Sequence, residues 1–266
     1  MFVIGYFINV KEKTMKKLIV ASALALTTLA GLATSPKVQA SSTAKSAKVS
    51  FKQYKINKKY KDGLTVKYSY NLPQLKGKSA AIKKINKDLL KKYRETSDPS
   101  KSIIPSKSTQ GDSKQAGVIK KVTHYDLTKI SVPYNKNGII SFKVDRNWWA
   151  GYQDNNKKIP YHVIGGWTYS LKNGKRLSIA DIAKGSESSI RKQLIAGATK
   201  KFKIKKGETI YSDILNDKYG IRLNYYLKGG KVYLYPDIIE ALNYEFTHHN
   251  PPIYYNSHFT IPSRYK

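Results

Sequence analysis

The chain has 266 residues, with 49 Lys and Arg against 17 Asp and Glu, a formal net charge of +32, and no cysteine. That composition excludes a disulfide-stapled scaffold, thiol catalysis and thiolate metal sites, and it disfavours partners that are themselves strongly basic. A chain of this length can bury a core of its own.

Residues 1–14 read as an upstream extension, with Met15 as the start. Met15-Lys16-Lys17 precedes an apolar run over 18–32, and Val38-Gln39-Ala40 follows. A basic segment, an apolar segment and a small-x-small site are the parts of an export signal, so residues 1–40 are read as a signal peptide cleaved before Ser41. The apolar run is shorter than the ~20 residues of a spanning helix. No second run of that length follows, so the exported chain is expected to have no membrane span. It keeps 226 residues, with 44 Lys and Arg against 16 Asp and Glu, a net +28. Export, the lack of cysteine and a composition rich in Lys, Tyr and Asn point to a Gram-positive cell, with the protein secreted or wall-associated.

Residues 41–50 form a polar tether of small residues. Residues 51–56 and 64–70 read as strands around Lys61-Asp62-Gly63. Residues 79–95 carry Ile82, Ile85, Leu89 and Tyr93 on one stripe, which predicts an amphipathic helix. Lys83, Lys84, Lys87, Lys91 and Arg94 gather on its opposite side. Residues 97–117 are polar and read as a long loop. Residues 118–132 and 139–149 read as strands joined at Asn135-Lys136-Asn137-Gly138, a hairpin signal. Asp154-Asn155-Asn156 marks a turn, and residues 159–171 another strand.

A second helix is predicted over 186–203, capped by Ser186, with Ile190, Leu194, Ala198 and Phe202 as its buried stripe. Residues 209–216 read as a short helix. Alternating residues on both sides of Gly229-Gly230 predict a second hairpin, and 260–262 a last strand. Strands beside strands, with two main amphipathic helices inserted, predict an α+β fold with a mostly antiparallel sheet.

Leu72-Pro73-Gln74-Leu75-Lys76-Gly77, followed by a helix holding Ile85-Asn86, resembles the opening of the N-terminal domain of the PdaC peptidoglycan deacetylase family, where the Pro-Gln-Leu segment is a turn. Gly165-Gly166, Tyr169-Ser170-Leu171 and the stretch from Asn173-Gly174-Lys175 to Asp181-Ile182 resemble the C-terminal domain of the RsiV anti-sigma factor family. So does Tyr235-Pro236-Asp237-Ile238. The resemblance implies a PdaC-like region over 51–150 and an RsiV-like region over 151–266, packed as one unit. It implies structural roles for Gly165, Gly166, Gly174, Lys175 and Asp181. Gly174 suits a turn of positive φ, and Asp181 suits a helix start. The family's Ala-His after the glycine pair is Trp167-Thr168 here, and the deacetylase catalytic domain is not in this sequence. Because RsiV-type proteins bind lysozyme, the resemblance also implies a sensor or inhibitor of a lysozyme-like protein. A net +28 opposes that reading for a basic lysozyme.

No nucleophile elbow, phosphate-binding loop or zinc-protease motif occurs, and no carboxylate spacing marks a glycosidase. His124, His162, His248, His249 and His258 read as ordinary loop histidines. No metal site, catalytic residue or cofactor is expected. Trp149, Trp167 and Tyr152 are the candidates for stacking on sugar rings. The basic helix face of Lys83, Lys84, Lys87, Lys91 and Arg94 is the candidate polyanion site. Nucleic acid would give the same electrostatic signature, but export makes anionic wall polymer (teichoic acid or peptidoglycan) the expected partner, with a secreted protein as second choice. The expected function is envelope binding. The rivals are the lysozyme-directed sensor and an enzyme acting on wall glycan.

The signal reading predicts an extracellular product that begins at Ser41. N-terminal sequencing or intact-mass measurement of the culture fraction checks this; a membrane-bound product that retains residues 18–32 contradicts it.

Overall fold

The structure is a computed structural model and describes residues 46–60, 63–103, 123–150, 153–154, 157–158, 160–203, 205–206, 223–236 and 257–266. The expected signal peptide, most of the tether, the 209–216 helix, and His248 and His249 lie outside these residues. Ser42–Lys266 forms one compact unit. No helix among the described residues is long and apolar enough to cross a membrane.

The fold is α+β and mainly sheet. Strands β1 (Val49–Lys59) and β2 (Thr65–Leu75) pair antiparallel along their full length. The chain then forms α1 (Ala80–Lys92), a π-turn over Tyr93–Ser97, and the short α2 (Pro99–Ser102). It returns as β3 (Thr123–Lys136), which runs parallel to β2. Antiparallel β4 (Ile139–Trp149) follows. After the two-residue strands β5 (Gln153–Asp154) and β6 (Lys157–Lys158), β7 (Tyr161–Ser170) closes a five-stranded sheet in the order β1-β2-β3-β4-β7. Short α3 (Ile179–Ile182) and α4 (Glu187–Phe202) lead to β8 (Leu223–Lys228), β9 (Lys231–Pro236) and β10 (Phe259–Pro262). These last three make a separate sheet in the order β10-β9-β8.

Two expectations are corrected, and one strand pair departs from the otherwise antiparallel arrangement. The β2–β3 pair is parallel, because the segment from α1 to α2 carries the chain back to the start of the sheet; parallel neighbours need such a crossover. Pro73-Gln74-Leu75 lies within β2, and the turn comes at Lys76-Gly77. The loop expected at 97–117 begins with the end of the π-turn and with α2, whose start is capped by Asp98.

Alternation along β4 divides the core in two. Ile140 and Phe142 face α1 and meet Ile85, Leu89, Tyr70 and Tyr169. Ile139 joins the second core, built from Leu194, Ala198 and Phe202 of α4 with Tyr225, Leu227, Leu234 and Phe259 of the small sheet. The tyrosine richness is largely core chemistry: Tyr68, Tyr70, Tyr134, Tyr169 and Tyr225 are all buried. Each hydroxyl that goes in needs a partner. Tyr68 donates to the Ser97 carbonyl at 2.6 Å, Tyr169 to the Asp88 carboxylate at 2.7 Å, and Tyr225 to the Leu177 carbonyl.

The two sheets are joined at β7 and β8. At Gly166 a Cβ would sit 2.1 Å from the Phe142 carbonyl oxygen and 2.8 Å from Tyr226 Cβ, so only glycine lets β8 come this close. Beside it the Leu227 N–H donates to Ser141 Oγ at 2.9 Å, and Ser141 Oγ lies 2.8 Å from Thr168 Oγ1, all buried. Since Ser141 already accepts from the backbone, its own hydroxyl proton is free to go to Thr168.

The α1-facing core also holds a charge. Asp126 is fully buried and accepts two bonds from Arg146, from Nε at 2.9 Å and Nη2 at 2.7 Å. Arg146→Met would strand a buried carboxylate, which costs about 3–5 kcal/mol. Urea unfolding should show that loss, and the double variant Asp126→Leu/Arg146→Met should lose clearly less.

Candidate anion-binding surface

Helix α1 forms where its stripe can be buried and its start capped. Ser79 accepts from the Ile82 N–H at 3.2 Å. Asn86 pairs with both backbone groups of Leu75, donating and accepting at 2.9 Å, and this fixes the helix against the end of β2. Ile85 and Leu89 are fully buried. The opposite face is then solvated, and Lys83, Lys84, Lys87, Lys91 and Arg94 are all exposed. Lys83, Lys87 and Lys91 follow one another at like-charge i,i+4 spacing, which is mildly destabilising. Lys91 meets Glu95 only at 3.8 Å with both side chains more than half exposed, a contact worth little.

Tertiary structure adds a second set of cations to this face. Gly174 has φ +69, and a Cβ there would lie 2.7 Å from the Ala81 carbonyl and 3.1 Å from Lys84 Cβ. The turn after β7 therefore lies directly on α1, and it carries the exposed Lys172, Lys175 and Arg176. Lys92, in the last turn of α1, shows the result. Its ammonium is held below the ordinary lysine range, first by burial and then by the charge of Arg176, against the pull of Asp88. Sequence reasoning missed these partners, since 80 or more residues separate them from α1. The one local signal was the basic Lys172–Arg176 turn itself.

Three of the described carboxylates whose side chains are placed reach cations of α1 or the turn, Glu95 to Lys91 at 3.8 Å, Asp181 to Lys175 at 3.6 Å and Asp88 to Lys92 at 3.7 Å, too few to neutralise this surface. Asp126 holds Arg146. Asp145 holds Lys143 and His162. Asp88 accepts from Tyr169. Asp181 completes the capping box with Ser178 and lies 3.6 Å from Lys175. Asp98 caps α2, and Glu187 and Glu95 meet Arg191 and Lys91.

The stacking candidates fare differently. Trp149 is 3% exposed and packs edge-on with His124, so its ring offers no face to a sugar. Strand alternation puts the half-buried Trp148, which was not among the candidates, on the other side of the sheet. Trp167 is half-buried, with the Lys92 ammonium 5.7 Å from its ring centre. Tyr152 lies outside the described residues. His124 and His162 sit on strands rather than in loops.

A second polar group was not anticipated. His162 Nε2 lies 2.7 Å from Asp145 Oδ1, and Lys143 Nζ lies 3.2 Å from Oδ2. These side chains come from adjacent strands β4 and β7. They stand close to the aromatic cluster of Tyr226, Tyr233, Tyr235 and His258, in which Tyr226 and Tyr233 stack at 5.1 Å. Burial and the charges of Lys201 and Lys143 push His258 down, which favours a neutral imidazole. Among the described residues no three His, Asp or Glu side chains converge as a metal site would require.

No family model matches the chain, and no curated protein matches it. Solved structures of the DUF3298 family, a domain of unknown function, have a similar arrangement. One from Bacteroides fragilis is 12% identical with a TM-score of 0.45, over 71% of this chain and 83% of its own. One from Pseudomonas aeruginosa PAO1 is 15% identical with a TM-score of 0.42, over 81% and 90%.

Burial raises the Asp145 carboxyl, but the bonds from His162 and Lys143 outweigh it, so the group sits below the ordinary aspartate range. A depressed folded value contributes stability above the usual aspartate pKa, and that stability is lost as pH falls through the folded value. Asp145→Asn should therefore flatten the acid limb of a stability–pH curve by up to one proton's slope. Urea unfolding from pH 7 to pH 3 measures it.

Proposed function

We propose that this is an exported envelope-binding protein, a binder rather than an enzyme, whose ligand is an anionic wall polymer of the teichoic acid or peptidoglycan type. The observation that carries the reading is the placement of Lys172, Lys175 and Arg176 on α1, beside Lys83, Lys84, Lys87, Lys91 and Arg94. Cations from two remote segments share one surface, on which they outnumber the placed carboxylates. Like charges gathered at a cost favour a polyanion, and its counterion release supplies the driving force. Under this reading, the PdaC-like and RsiV-like motifs contribute the fold and not the ligand. The same surface would repel a basic lysozyme at long range, which weighs against the sensor alternative.

Exposed charge is screened over ~8 Å at physiological salt and ~3 Å at 1 M. Retention of the exported chain on purified cell wall should fall steeply as salt rises. Lys83→Gln, Lys87→Gln and Lys91→Gln together should weaken it roughly tenfold or more without changing the urea midpoint. Retention indifferent to both would overturn the proposal in favour of sugar stacking.

A further inference from the structure

A second basic feature lies away from the α1 face. It is an open groove of about 670 Å³, lined by Lys136, the Gly229-Gly230-Lys231 turn, residues 260–262 of β10, and Lys266. Its walls are fixed by backbone contacts. Gly229 and Gly230 have φ +53 and +73, the consecutive left-handed pair of a two-residue hairpin turn. The Gly230 carbonyl accepts from the Ser263 N–H at 2.9 Å, which ties the turn to the segment after β10. The Lys266 main-chain oxygen accepts from Tyr134 Oη at 3.1 Å and from Asn137 at 3.4 Å, which ties it to the β3–β4 turn.

Three lysines from three remote segments thus meet at one groove, and among the described residues no carboxylate side chain lines it. Lys231 also stands directly opposite Lys228 across the hairpin, a like-charge pair that destabilises a ladder. The Lys136 ammonium lies 5.6 Å from the Tyr134 ring centre, but Tyr134 itself is buried, and no aromatic side chain is among the described residues that line the groove. Ammonium groups recognise phosphate as point charges. An open groove suits an extended chain better than a small enclosed ligand. With no stacking ring among its described lining residues, it favours a phosphate chain that carries no bases. Pro262, exposed on β10, offers an apolar contact to methylene groups between the phosphates.

We infer that this groove binds a phosphodiester-linked polyol chain, with a phosphate held among Lys136, Lys231 and Lys266. The site is separate from the α1 face; it rests on the wall-polymer reading only for the natural source of that chain. The test is a ¹⁵N-correlation titration of the exported protein with a glycerol phosphate oligomer at physiological salt. The Gly229 and Gly230 amide signals should shift saturably. Lys136→Gln with Lys231→Gln should weaken that response at least tenfold, whereas the α1 triple substitution should leave it in place. Single-stranded DNA of equal charge and phosphatidylglycerol vesicles should move the same amides less. Shifts that are absent, that survive the groove substitutions, or that are matched by DNA or vesicles would overturn the assignment. Saturable groove shifts alongside failed wall retention would remove the wall reading and leave the groove standing.

Discussion

The approach of β7 to β8 at Gly166 is the constraint on which the rest depends. A side chain there would collide with the Phe142 carbonyl and Tyr226, and the small sheet could not lie against the large one. The buried Ser141 hydroxyl then serves both sides of the joint, taking the Leu227 N–H and facing Thr168. With β8 seated, the second core closes between the small sheet and α4. The first core needs none of this and is completed by α1 on the other face. One glycine and two hydroxyls thus make a single unit out of two sheets whose strands never pair with each other.

Asparagine amides extend that economy. Asn71 donates to the Ile130 carbonyl at 2.8 Å and accepts from its N–H, continuing the parallel β2–β3 ladder after regular pairing ends at Tyr70–Thr128. Asn86 does the same for Leu75, and Asn135 for Ala47. A carboxamide carries a donor and an acceptor in the geometry of a peptide group, so it can stand in for a missing strand neighbour. This gives the resemblance motifs their physical meaning. Ile85-Asn86 fills the core and holds Leu75. Gly174 seats the turn on α1. Ser178 and Asp181 form a capping box on α3, with Ile179 and Ile182 buried beside them. Ile85, Asn86, Gly174, Ser178 and Asp181 are thus accounted for by packing or hydrogen bonding within the fold.

Charge is partitioned by the same structure. The placed carboxylates are spent on Arg146, on caps, on Tyr169 and on a few ion pairs, while Lys83, Lys84, Lys87 and Lys91 of α1 and the lysines of the 172–176 turn and the groove stay in water. Surface cations cost a protein little individually but repel collectively. Two of the places where they gather, the α1 face and the groove, are formed by turns that reach across to another element. Such turns are free to carry charge, since their backbone is satisfied by the partner they rest on.

By itself the sequence determined the α+β class, both main helices, both hairpins and the exposed lysine face of α1. Each of these is written in a local period: Ile85, Leu89 and Tyr93 at helical spacing, and Leu223, Tyr225 and Leu227 alternating before Gly229-Gly230. Only the tertiary structure decided the parallel β2–β3 pair, the burial of Trp149 in place of Trp148, the Asp145–His162–Lys143 group, and the meeting of Lys84 with the 172–176 turn. Adjacent tryptophans on a strand must face opposite ways, but the period does not say which face is covered. That depends on what packs above each, and so on contacts between residues tens of positions apart. Local propensity acts over a few residues, whereas a site is assembled by whichever remote segments the core brings together.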